Sequence, residues 1–97
     1  MQEVSNYTQE LVDRISPIVE KLFKTNSLYL IKLKRWEMVE MLVALFGKFA
    51  PEEMRVIKDE DLIKRIDSIL ALDVISGTLN DLTPEQIEMF DEAVEGR

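Results

Sequence analysis

The sequence predicts an all-α fold: a compact bundle of four to five helices with a central, mostly apolar helix, forming a single domain over residues 1–97. Three observations predict it. Apolar residues recur at steps of three and four along Val4, Tyr7, Leu11, Ile15, Ile18 and Leu22, which is one stripe of an α-helix. Helix-start chemistry recurs at Pro51-Glu52-Glu53, at Asp59-Glu60-Asp61 and at Thr83-Pro84. Only Leu28–Lys34 alternates like a strand, and a lone strand leaves its edges unpaired, so helix is the consistent reading there as well. A chain of 97 residues fits one domain. With 46% apolar residues it is too hydrophobic to remain disordered.

In the first helix Val12, Val19 and Phe23 widen the stripe into a core-facing surface. Pro17 lies inside it. It lacks a donor and crowds the preceding turn, so a kink or break near Ser16 is expected. The stripe stays in register, so the direction should be kept. Thr25-Asn26-Ser27 then reads as a stop and restart, because short polar side chains favour caps.

The central helix is expected over Leu28–Phe46. From Trp36 to Phe46 only Glu37 and Glu40 are not apolar. With Ala44 and Lys48 they form one narrow face, so this helix should be buried on most sides. Gly47 is expected to end it in the left-handed conformation that glycine tolerates. Pro51 and two acids open a short helix reaching about Lys58. Asp59-Glu60-Asp61 opens a longer one with Leu62, Ile63, Ile66, Ile69 and Leu70 on one face, closed by Gly77. The last helix has the fullest start signal: Thr83 as N-cap, Pro84 at the first position and Gln86 completing a capping box. Leu82 and Ile87 form the accompanying hydrophobic staple, and Phe90 and Val94 continue the buried face. The spacings Leu42-x-x-Leu45-Phe46-Gly47 and Ile66-x-x-Ile69-Leu70 are generic for two packed helices and assign no family. There is no internal repeat.

Several chemistries are excluded or weakened by composition. The chain has no cysteine and no histidine, so disulfides, thiolate chemistry and imidazole bases and ligands are absent. Its three glycines, Gly47, Gly77 and Gly96, are too scattered for a phosphate-binding loop. Asp59 and Asp61 begin an alternation that a calcium loop would need, but Ile63 and Lys64 follow and no glycine comes. No cofactor is expected. Ser16, Ser27 and Thr83 read as caps, and Ser68 falls on a polar face. The acidic pairs sit at helix starts, where the dipole explains them. An enzyme is therefore disfavoured, and only a buried carboxylate with a raised pKa would restore that reading.

The net charge is −7, unevenly spread. Residues 1–48 hold seven basic and six acidic side chains, whereas 49–97 hold five and thirteen. Lys21, Lys24, Lys32, Lys34 and Arg35 are the one basic group, read as a solvated helix end and loop. A helix-turn-helix around Gly47 would begin its second helix with Pro51-Glu52-Glu53, the wrong charge for meeting phosphates. Nucleic acid is thus an unlikely partner. The N-terminus lacks the basic and apolar regions of a signal peptide, and the longest apolar run, Met41–Phe46, is far short of a membrane span. The expected location is cytoplasmic, with no membrane association.

Two functional expectations remain. The first is an acidic protein–protein interaction module, a regulator, adaptor or accessory subunit that self-associates or binds a partner protein through the apolar helix. A chain this small buries only about 60–65% of its unfolded surface, so covering so apolar a helix favours assembly. Its interface residues would be Tyr29, Leu33, Trp36, Val39 and Val43. The alternative is an acidic inhibitor or nucleic-acid mimic. It would occupy a basic groove with residues 52–61 and 81–95, led by the face Glu52, Glu53, Asp59, Glu60 and Asp61. Salt separates the two, because screening weakens a charge-driven contact far more than an apolar one.

Overall fold

The computed structural model describes residues 2–76 and 83–96, with side chains for 7–75 and 83–96. Its elements are α1 (Gln2–Thr25), α2 (Ser27–Lys32), α3 (Arg35–Phe46), α4 (Pro51–Val56), α5 (Asp59–Ser76) and α6 (Pro84–Glu95). Among the described residues every regular element is a helix. The radius of gyration is 13.0 Å, the value of a globule of about 100 residues, so these helices fold back on one another.

Helix α1 runs unbroken through Pro17. Pro17 and Asp13 both lie on its exposed side, so the Asp13 carbonyl, which has no donor at position 17, faces water. The predicted stripe turns inward. Leu11, Ile15, Ile18, Val19 and Phe23 are buried, and Tyr7 and Leu22 pack partly against them. Ser16 stands mid-helix rather than at a cap. Helix α1 packs against α2, α3 and α5, and α6 packs on α5.

The helix expected over Leu28–Phe46 is two helices. Asn26, not Ser27, caps the first: its side-chain oxygen accepts the Leu28 N–H at 3.0 Å. Leu33 and Lys34 are extended, with φ of −120° and −106°, and separate α2 from α3. No glycine or proline marks this break. It lets α2 hold Tyr29 against α1 and α5 while α3 lies along α1. On α3 the residues Met38, Val39, Leu42 and Phe46 are buried, and the predicted polar face of Glu37, Glu40, Ala44 and Lys48 is exposed. Gly47 ends α3 at φ −65°, so left-handed freedom is not its role. A Cβ there would stand 2.9 Å from the Val43 carbonyl oxygen, too close to that last turn.

Two arginines fasten the later helices. Arg14 of α1 donates to the Met54 carbonyl at 2.7 Å and to the Ile57 carbonyl, and reaches Asp59 at 3.1 Å. It thereby satisfies carbonyls at the end of α4 and meets the start of α5. Arg65 of α5 donates to the Val94 carbonyl at 3.1 Å and pairs with Asp61 at 2.9 Å. The capping box at α6 forms as predicted: Thr83 Oγ1 accepts from the Gln86 N–H at 3.2 Å, and Gln86 Oε1 from the Thr83 N–H at 3.0 Å. Gly77 and Leu82, expected to close α5 and to staple α6, lie outside the described residues.

Gly96 closes α6 at φ +82°, and a Cβ there would meet the Arg65 guanidinium at 2.7 Å. Left-handed backbone disfavours any side chain by about 1–2 kcal/mol, and Arg65 is held from both ends. Gly96→Ala should therefore lower unfolding free energy by at least that amount in urea titration. An unchanged midpoint would mean that neither the left-handed backbone nor the Arg65 contact resists a side chain there.

Candidate functional site

The feature without a structural explanation is a corner formed by α2 and the start of α3. Helix α2 has six residues, and one face must serve the core. Tyr29 takes it: the ring is buried beside Phe23, 6.3 Å between centroids. Its hydroxyl donates to Asp67 Oδ1 at 2.7 Å. Burial, reinforced by that bond, pushes the Tyr29 hydroxyl well above its ordinary range. Fixing Tyr29 inward turns its neighbours outward. Leu30 is 64% exposed and Ile31 77%, with Leu28 half-exposed beside them. Trp36, in the first turn of α3, is 67% exposed. Large apolar side chains exposed singly need no explanation, but an apolar group rimmed by charge marks an interaction site.

The rim is basic. Lys21, Lys24, Lys32, Lys34 and Arg35 are all exposed. Arg35 stands 3.8 Å from Glu20, and the four lysines make no ion pair with a described residue. Between α1 and this corner runs a groove of about 450 Å³, lined by Glu20, Phe23, Lys24, Leu30, Leu33 and Arg35. A larger hollow of about 600 Å³, between α1 and the α3–α4 turn, is lined by Leu11, Val43, Ala44 and Pro51 among others. Its one hydroxyl from a tyrosine, Tyr7, already donates to the Phe49 carbonyl at 2.7 Å. The smaller groove is the better candidate, because it adjoins both the exposed apolar group and the basic rim.

The predicted interface residues therefore separate. Trp36 is on the surface and Leu33 half-buried in the groove. Tyr29 and Val39 belong to the core, and Val43 lines the other hollow. Leu28, Leu30 and Ile31 were missed by sequence reasoning. The signal for them was available: Leu28, Tyr29, Leu30 and Ile31 are consecutive and point all round a helix, so one buried face cannot take all four.

The acidic face also separates. Glu53 accepts the Ala50 N–H at 2.8 Å, Asp59 meets Arg14 and Asp61 meets Arg65. Those three serve helix ends and helix packing, while Glu52 and Glu60 are exposed and make none of these contacts.

One further carboxylate is unusual. Asp73 of α5 is 6% exposed. Burial, with the nearby charge of Glu37 added, raises its pKa. It lines neither of the two hollows described above. Among the described residues no cluster of acidic side chains is arranged to hold a metal ion, and no helix is long and apolar enough to cross a membrane.

No protein-family model matches this chain, and no curated protein or solved structure is significantly similar to it.

Proposed function

We propose that this chain is a small protein–protein interaction module that self-associates through the α2–α3 corner. The observation that carries the reading is the exposure of Leu28, Leu30 and Ile31 on α2 and of Trp36 in the first turn of α3, with Leu30 lining a groove shared by Phe23, Leu33, Lys24 and Arg35. Removing a Leu or Ile side chain from water contributes about 1.5–3 kcal/mol when burial is complete. Trp is enriched among the residues that dominate binding energy. The acidic-mimic reading is weaker, since half-engaged carboxylates at helix starts are explained by the fold itself.

Light scattering behind a sizing column tests the proposal. The wild type should run heavier than a monomer at low and at high salt. Trp36→Asp should run as a monomer with unchanged far-ultraviolet circular dichroism. The substitution puts an acid in the first turn of α3, where the dipole favours it, so lost mass would not reflect a lost helix. A monomeric wild type, or a variant of unchanged mass, would refute the reading.

A further inference from the structure

The corner carries cations and apolar groups, and the same chain carries a surface of the opposite sign. Helix α6 contains no basic residue. Phe90, Ala93 and Val94 face the core. Glu85, Glu88 and Glu92, with Asp91 and Glu95, follow one another at steps of three and four on the opposite face. Ile87 and Met89, both about half-exposed, flank that acidic face on either side. Of its acids, Asp91 meets Lys48 at 3.7 Å. That contact also fixes where the helix lies. Lys48 follows the C-terminal end of α3, whereas Trp36 stands at its N-terminal end. A helix of 12 residues spans roughly 18 Å. Asp91 and Trp36 are therefore about one length of α3 apart.

We propose that copies of this chain dock head to tail, the α2–α3 corner of one copy receiving the acidic outer face of α6 of the next. This rests on the corner being the interaction surface. What it adds is the occupant. An isologous pair centred on the corner would set the same surface against itself, bringing two sets of Lys21, Lys24, Lys32, Lys34 and Arg35 together. Like charges across an interface suppress a pairing, and complementary ones fix it. The heterologous pairing sets those cations against Glu85, Glu88 and Glu92, while Leu30, Ile31 and Trp36 gain Ile87 and Met89 as apolar neighbours. An anionic lipid surface would also suit the corner. It offers nothing to α6 and repels the acidic half of every copy, so a second copy fits better. A head-to-tail contact does not close at two. It makes a ring or an open chain, and the mass should keep rising with concentration.

Charge-swap mixing tests this. Lys32→Glu/Lys34→Glu takes the corner from five positive charges to a net of +1, and Glu88→Lys/Glu92→Lys takes the helix face from five negative charges to a net of −1, all at surface positions. Light scattering at low salt should find each double variant monomeric alone, with circular dichroism unchanged. An equimolar mixture should regain assembled mass, because the basic corner of one variant meets the acidic helix of the other. If the helix variant still assembles while the corner variant does not, the corner remains the interface and α6 is not its occupant. If the wild type is monomeric at every concentration, both proposals fall. A wild-type monomer whose Trp36 emission shifts to the blue with phosphatidylglycerol vesicles and not with phosphatidylcholine vesicles would assign the corner to lipid instead.

Discussion

Arg14→Ala is expected to lower the unfolding free energy by about 2–4 kcal/mol, since hydrogen bonds to charged groups contribute roughly 1.5–3 kcal/mol each and are not fully additive. The side chain is largely sheltered, and its guanidinium serves the Met54 and Ile57 carbonyls together with Asp59. Removing it strands two carbonyl oxygens near the end of α4, a helix of six residues too short to hold itself. The ion pair is the lesser part. Asp59 is 80% exposed, and exposed pairs contribute about 0–1 kcal/mol. Asp59→Asn should therefore cost little. Arg14→Lys should recover only part of the loss, because an ammonium lacks the planar fork that spans both carbonyls. Urea unfolding of the three variants checks this. Equal losses for Arg14→Ala and Asp59→Asn would mean that the ion pair, not the carbonyls, is what Arg14 supplies.

The contrast between these arginines and the elements around them shows what the sequence made legible. The start of helix α6 was readable to the residue, because Thr83, Pro84 and Gln86 act within one turn of themselves. The core stripe of α1 was readable because a period of three and four needs no knowledge of what it faces. The roles of Arg14 and Arg65 were not readable. The carbonyls they serve lie about 40 and 29 residues away, and nothing local distinguishes those arginines from solvated ones. The break at Leu33–Lys34 was hidden for the same kind of reason. It has no breaker residue and follows from Tyr29 anchoring α2 on α5 while α3 aligns with α1. This break shapes the candidate site, since it separates α2, which carries Leu30 and Ile31, from α3, which carries Trp36. The basic group Lys21–Arg35 was visible as a list of residues, but its convergence around an apolar corner required α1, α2 and α3 to be in place. Tyr29 and Val39 were offered as interface residues because an apolar helix reads alike whether its neighbours belong to the same chain or another.

Asp73 leads to the opposite kind of expectation, a substitution that stabilises. It lies on the inward face of α5, one turn beyond Ile69, in a stripe otherwise made of Leu62, Ile66, Ile69 and Leu70. Burial disfavours the charged form of a carboxylate, and Asp73→Leu should gain stability at neutral pH. The pH dependence follows from the direction of the shift. Burial, with Glu37 adding to it, raises the folded-state pKa above the usual carboxylate value. The folded protein therefore holds this proton more tightly than the unfolded chain does. The penalty is fully present above the raised folded pKa and fades as pH falls through it towards the unfolded value. Urea titrations at neutral pH and at mildly acidic pH should show the advantage of Asp73→Leu shrinking as the wild type becomes protonated. Glu37→Gln should reproduce a small part of the neutral-pH gain, because it removes only the charge facing Asp73 from α3. Should Asp73→Leu instead prove less stable than wild type at neutral pH, the carboxylate would be a favourable contributor to the fold. The raised pKa would then have to be withdrawn.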